Sequence, residues 1–105
     1  MSSAEAAQTV LRLEESPDSV TLYVEGPLSG ASYHATSKMI AAHKIGARPL
    51  LIDLREMTWI DTGGIGVLIL AAQLARFSPR VRIRGAAAEI REMLELVSYR
   101  SFQLV

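Results

Sequence analysis

Apolar and polar positions alternate most cleanly from Val20 to Glu25. Val20, Leu22 and Val24 are apolar, and Thr21, Tyr23 and Glu25 stand between them. A period of two predicts a strand with one buried face. A weaker alternation over Thr9–Leu13 predicts an edge strand before it. The intervening Glu14-Glu15-Ser16-Pro17-Asp18-Ser19 is turn chemistry, so the two strands are expected to form a hairpin. Gly26-Pro27-Leu28-Ser29-Gly30 breaks the alternation. Ser32 is placed to cap a helix reaching about Ile45, with Ala35, Met39 and Ala42 on one face, Gly46 as its stop and Pro49 beyond.

In the second half, Leu50–Leu54 reads as a short buried strand and Arg55–Trp59 as a less regular stretch. Ile65 to about Phe77 is continuously apolar, which predicts a buried helix stopped by Ser78-Pro79. Val81 and Ile83 alternate with Arg80, Arg82 and Arg84, a strand with one wet face closed by Gly85. From Glu89 to Val97, Ile90, Met93, Leu94 and Val97 fall on one stripe of an amphipathic helix, and Phe102–Val105 is a last short strand. Residues 1–7 are small and polar and are expected to form a flexible end to a single domain over 8–105. Strands alternating with helices predict an α/β fold. Its sheet should be mixed but mostly parallel, with about five strands and about three helices mainly on one side.

Composition narrows the function. The chain has 105 residues, 50% hydrophobic and 21% charged, which fits one folded domain and excludes disorder as the default. Eleven basic residues balance eleven acidic ones. That balance argues against direct nucleic-acid binding and against a polybasic membrane-surface protein. The zero is a cancellation, because Thr62–Ala88 carries four arginines and no acid while the flanking segments are net acidic. With no cysteine, disulfides and thiolate metal sites are impossible. No signal peptide is visible. The most apolar stretch, Ile65–Ala75, falls short of the about 20 residues needed to span a bilayer, so no membrane insertion and a cytoplasmic location are expected.

The chemistry concentrates where the central apolar strand leads to Asp61 and Thr62 at a helix start. A helix N-terminus offers unpaired N–H groups and the positive end of its dipole. Gly63, Gly64 and Gly66 keep side-chain bulk away, so an anion on Thr62 would meet backbone donors. A phosphate there adds about −1.5 to −2 charges beside Asp61, a sharp local change. A plainer reading of the same residues is that Asp61 or Thr62 caps the helix and the glycines allow close packing. Asp61-Thr62-Gly63 also resembles the active-site triplet of aspartic proteases, but a long helix pattern follows it where those enzymes are nearly all β.

Elsewhere, His34 and His43 lack a carboxylate constellation and read as surface or packing residues, with no metal site. Trp59 reads as packing at the sheet edge or as a partner anchor. Arg80, Arg82 and Arg84, with Arg76, read as a solvated face or as a site for an acidic partner or nucleotide. Glu89, Glu92 and Glu95 read as the wet side of their helix.

The segment Leu50–Phe77 resembles the signature of the STAS domain, shared by anti-sigma factor antagonists and sulfate transporter tails. Asp53-Leu54 and Ile60-Asp61-Thr62-Gly63-Gly64-Ile65-Gly66-Val67-Leu68 carry the match, and Gly26-Pro27-Leu28 resembles the family's Gly-x-Leu. The resemblance implies a bacterial, non-enzymatic regulator of transcription. It would bind an anti-sigma factor that is also a serine-threonine kinase, and phosphorylation at Thr62 would release it. Asp53, Asp61, Gly63, Gly64 and Gly66 would support the motif. Leu28, Ser29, Gly30, Ser32, Trp59, Thr62, Gly63 and Gly64 would form the docking surface of a monomer or weak dimer. The chain would hold no cofactor, since ATP and Mg²⁺ belong to the kinase. The Asp-Thr-Gly-Gly variant also resembles small STAS subunits that dock on the ATPase of phospholipid-transport ABC systems. A STAS module of a sulfate transporter or sensor is a further alternative.

Overall fold

The hairpin forms from β1 (Val10–Glu15) and β2 (Val20–Leu28), which pair antiparallel with Leu11 opposite Val24 and Leu13 opposite Leu22. The computed structural model describes residues 8–43, 48–75, 81–98 and 102–105. The expected flexible end at 1–7, the Gly46 stop and the Ser78-Pro79 stop lie outside them. After a single 3-10 turn at Gly30–Ser32 come α1 (Tyr33–His43), β3 (Leu50–Asp53) and β4 (Met57–Ile60). Then follow α2 (Thr62–Leu74), β5 (Val81–Arg84), α3 (Ala88–Ser98) and β6 (Phe102–Leu104).

The sheet runs β1-β2-β3-β5-β6, and every pairing apart from the hairpin is parallel. β2 is long enough to serve two partners. Val20–Tyr23 pairs with β3, and Gly26–Leu28 pairs with β4 across a register shift between Gly26 and Pro27. Gly26 takes a φ of 80°, a conformation that suits glycine and lets the strand bulge and continue where the alternation breaks. β4 is the strand that the irregular Arg55–Trp59 stretch concealed.

The strand registers sort side chains onto two faces. Leu13, Leu22, Ile52, Ile83 and Leu104 lie side by side across five strands on one face. That face carries the core, and Ile40 of α1, Ile65, Val67, Leu68 and Ala71 of α2 and Leu94 of α3 pack into the same cluster. The three helices therefore cover one side of the sheet. Each fully buried aliphatic side chain contributes roughly 1.5–3 kcal/mol, so this face dominates stability. The other face presents Arg12, Tyr23, Asp53 and Arg84 in a row.

One helix start differs from expectation, and the other follows the capping reading rather than the apolar pattern. Ser32 does not cap α1: it is the buried last residue of the 3-10 turn, and Ser29 caps that turn by accepting from the Ala31 N–H at 3.3 Å. α2 starts at Thr62, three residues before its apolar pattern, because Asp61 supplies a cap for its glycine-rich first turn. Among the described residues no helix is long and apolar enough to cross a membrane.

Candidate functional site at the start of α2

β4 delivers the chain to Asp61 in an extended conformation, and the carboxylate turns back onto the helix it precedes. Asp61 Oδ1 accepts from Gly64 N at 2.8 Å, and Asp61 O accepts from Ile65 N at 3.0 Å. The capping reading of Asp61 is thus realised. Thr62 follows as the first helical residue and is exposed. Its own N–H and that of Gly63 belong to the first turn, which has no intrahelical acceptors.

The glycines work through close approach. A Cβ on Gly63 would stand 2.7 Å from Gly30 N and 2.9 Å from Gly30 Cα. One on Gly64 would collide with Leu28 O and lie 2.7 Å from Ile60 Cγ1. The end of β2, the 3-10 turn and the first turn of α2 therefore meet backbone to backbone, and Asp61 N adds a 3.4 Å bond to Leu28 O. A Cβ on Gly66 would meet nothing within 4 Å, so packing does not explain that glycine.

Of the expected docking residues, Gly30, Trp59, Thr62 and Gly63 are exposed and Ser29 is half-buried. Leu28, Ser32 and Gly64 are buried, so they shape this surface and present no side chain to a partner. Trp59 keeps 53% of its surface exposed, and Tyr33, which follows the 3-10 turn, keeps 52%. Tyr33 is an exposed aromatic that the residue pattern does not single out; its place directly after the Ser29–Ser32 turn is the available signal.

Asp53 lies elsewhere, on the open face of the sheet. Its side chain is buried and gripped from two sides. Arg84 donates through Nη2 at 2.7 Å. Arg55 donates through Nε at 3.0 Å to Oδ2 and through its backbone N–H at 3.0 Å to Oδ1. Burial pushes the carboxyl's pKa up, but the hydrogen bonds from Arg55 and Arg84 outweigh it and bring it down to about 2. Arg12 stacks on Tyr23 at 4.1 Å beside this cluster. Arg84, read as part of a solvated arginine face, is thus an internal partner of Asp53, while Arg82 is exposed and Arg76 and Arg80 lie outside the described residues. His34 is exposed, and His43 meets Glu15 at 2.7 Å. Among the described residues no group of three His, Asp or Glu could hold a metal ion.

A family model described as "Mlab, STAS domain" matches residues 11–103. No curated protein matches the sequence. Among solved structures, the anti-sigma factor antagonist SpoIIAA in its unphosphorylated form superposes with a TM-score of 0.68 at 12% identity, over 91% of this chain and 87% of that one. An anti-sigma factor antagonist from Mycobacterium paratuberculosis gives 0.66 at 21% identity, covering 92% and 85%. An uncharacterized protein with a SpoIIAA-like fold from Shewanella loihica gives 0.58 at 16% identity, covering 94% and 86%. These likenesses establish the fold, and the match over nearly the whole length establishes the family: the chain belongs to the STAS domain family.

Proposed function

We propose that this chain is a non-enzymatic docking module of the anti-sigma factor antagonist kind, acting in the cytoplasm. It binds a partner that is both anti-sigma factor and serine-threonine kinase through the surface around the start of α2. The partner brings ATP and Mg²⁺ and phosphorylates Thr62, and the modified chain lets go. The observation that carries this reading is the exposed Thr62 at the first position of a capped helix, beside a backbone-only contact between Gly63 and Gly30. A phosphate on Thr62 places about two negative charges next to Asp61 at the centre of that surface. Desolvating them against a partner that fits the neutral hydroxyl is costly, which turns a small modification into release.

The test is incubation with the candidate kinase and labelled ATP, with Thr62→Ala in parallel. Incorporation in the native chain and none in the variant supports the reading.

A second reading is favoured by the Asp61-Thr62-Gly63-Gly64 sequence and by the family description. The same surface docks on the ATPase subunit of a phospholipid-transport ABC system, with Thr62 making contact unmodified. Tight binding to such an ATPase with no phosphate incorporation selects this alternative.

A further inference from the structure

α3 carries a second stripe that the fold does not use. Ile90 is half-buried and Leu94 is buried against the sheet, as expected of its inner side. Glu89, Glu92, Met93 and Leu96 stand at i, i+3, i+4 and i+7, so they form one line along the helix. All four are exposed, Met93 by 39% and Leu96 by 85%. No ion pair engages Glu89 or Glu92 among the described residues. A single exposed leucine needs no explanation. An apolar pair one turn apart, continued along the same line by two unpaired carboxylates, is a patterned surface.

The pattern selects its occupant. A second copy of the chain fits poorly. Parallel α3 helices would set carboxylates against carboxylates, and antiparallel ones would set Glu89 and Glu92 against Leu96 and Met93. An anionic membrane surface repels the acidic end. A helical segment with two basic residues a turn apart followed by two apolar residues a turn apart matches both ends at once. We infer that the Glu89–Glu92–Met93–Leu96 stripe of α3 is a docking surface for a basic amphipathic segment of a protein partner. α3 contributes none of the residues around Thr62, so this surface stands independently of the proposed switch.

The probe is a labelled helical peptide with lysines at two positions one turn apart followed by two leucines one turn apart, titrated with the chain and read by fluorescence anisotropy. Saturable binding is expected, weakened about tenfold or more by Leu96→Asp and by the Glu89→Lys/Glu92→Lys double variant, and weakened by added salt. A peptide with glutamates in place of the lysines is expected to bind the double variant and not the native chain. Circular dichroism keeps a folding defect separate, since every altered side chain is exposed. The inference is overturned if neither peptide shows saturable binding, or if binding is indifferent to these substitutions. It is also overturned if Leu96→Asp instead abolishes self-association or sedimentation with anionic vesicles.

Discussion

Asp53 offers the most quantitative consequence of the structure. Its carboxylate is 2% exposed and is held by Arg55 and Arg84, which lowers its pKa from 3.8 to about 2. A difference of nearly two units at about 1.4 kcal/mol each corresponds to about 2 kcal/mol of folding stability. Because the folded-state pKa is the lower one, this contribution is complete above 3.8 and is lost as pH falls through about 2. Asp53→Asn keeps the shape and removes the charge. Its expected cost is about 2 kcal/mol near neutral pH, or roughly 10 °C in Tm for a domain of this size. Urea unfolding followed by circular dichroism, repeated from neutral pH down to about 2, reads the difference between the two chains. Other carboxylates titrate in both, Glu15 with its own lowered pKa among them, and cancel in that difference. The gap should be full near neutrality and close toward the acid end. An Asp53→Asn chain as stable as the native one near neutrality refutes the reasoning, and so does a gap that persists at about pH 2.

Three further outcomes are expected. Asp61→Ala removes the cap on Gly64 N and should cost about 1 kcal/mol, read as a lower urea midpoint with an unchanged slope. Gly64→Ala drives a methyl into Leu28 O and Ile60, and thermal unfolding should show a loss of about 1–3 kcal/mol together with weaker partner docking. Leu68→Ala, in the middle of the core under α2, should cost about 2–5 kcal/mol in the same assay and leave the exposed site chemistry intact if the variant folds.

Much of this was readable from residue pattern because one face of the sheet is buried and the other wet. That asymmetry imposes the period of two on β2 and β5, and the i, i+3, i+4 pattern on α3. β4 escaped notice because Thr58 and Trp59 are both exposed and only Ile60 is buried, so no alternation develops. The apolar pattern by itself starts α2 only at Ile65, because Thr62, Gly63 and Gly64 are poor helix formers; the capping reading of Asp61 places the start correctly, where tertiary approach to Gly30 and Leu28 overrides that preference. The motif pointed to Asp61 and Thr62 correctly as neighbours at a helix start. It did not reveal that Asp53 serves a separate cluster. One of its partners lies two residues along and the other on β5, and only strand register brings the second one near.

On the proposed reading, the surface at the start of α2 docks a partner and a phosphate on Thr62 switches it off. The most direct test is calorimetric titration of the candidate anti-sigma factor kinase with the chain in its unmodified and Thr62-phosphorylated forms. An affinity loss of tenfold or more is expected on phosphorylation, about 1.4 kcal/mol at least, with Thr62→Ala retaining the unmodified affinity. Equal affinities for the two forms, or phosphate carried on a residue other than Thr62, would contradict it.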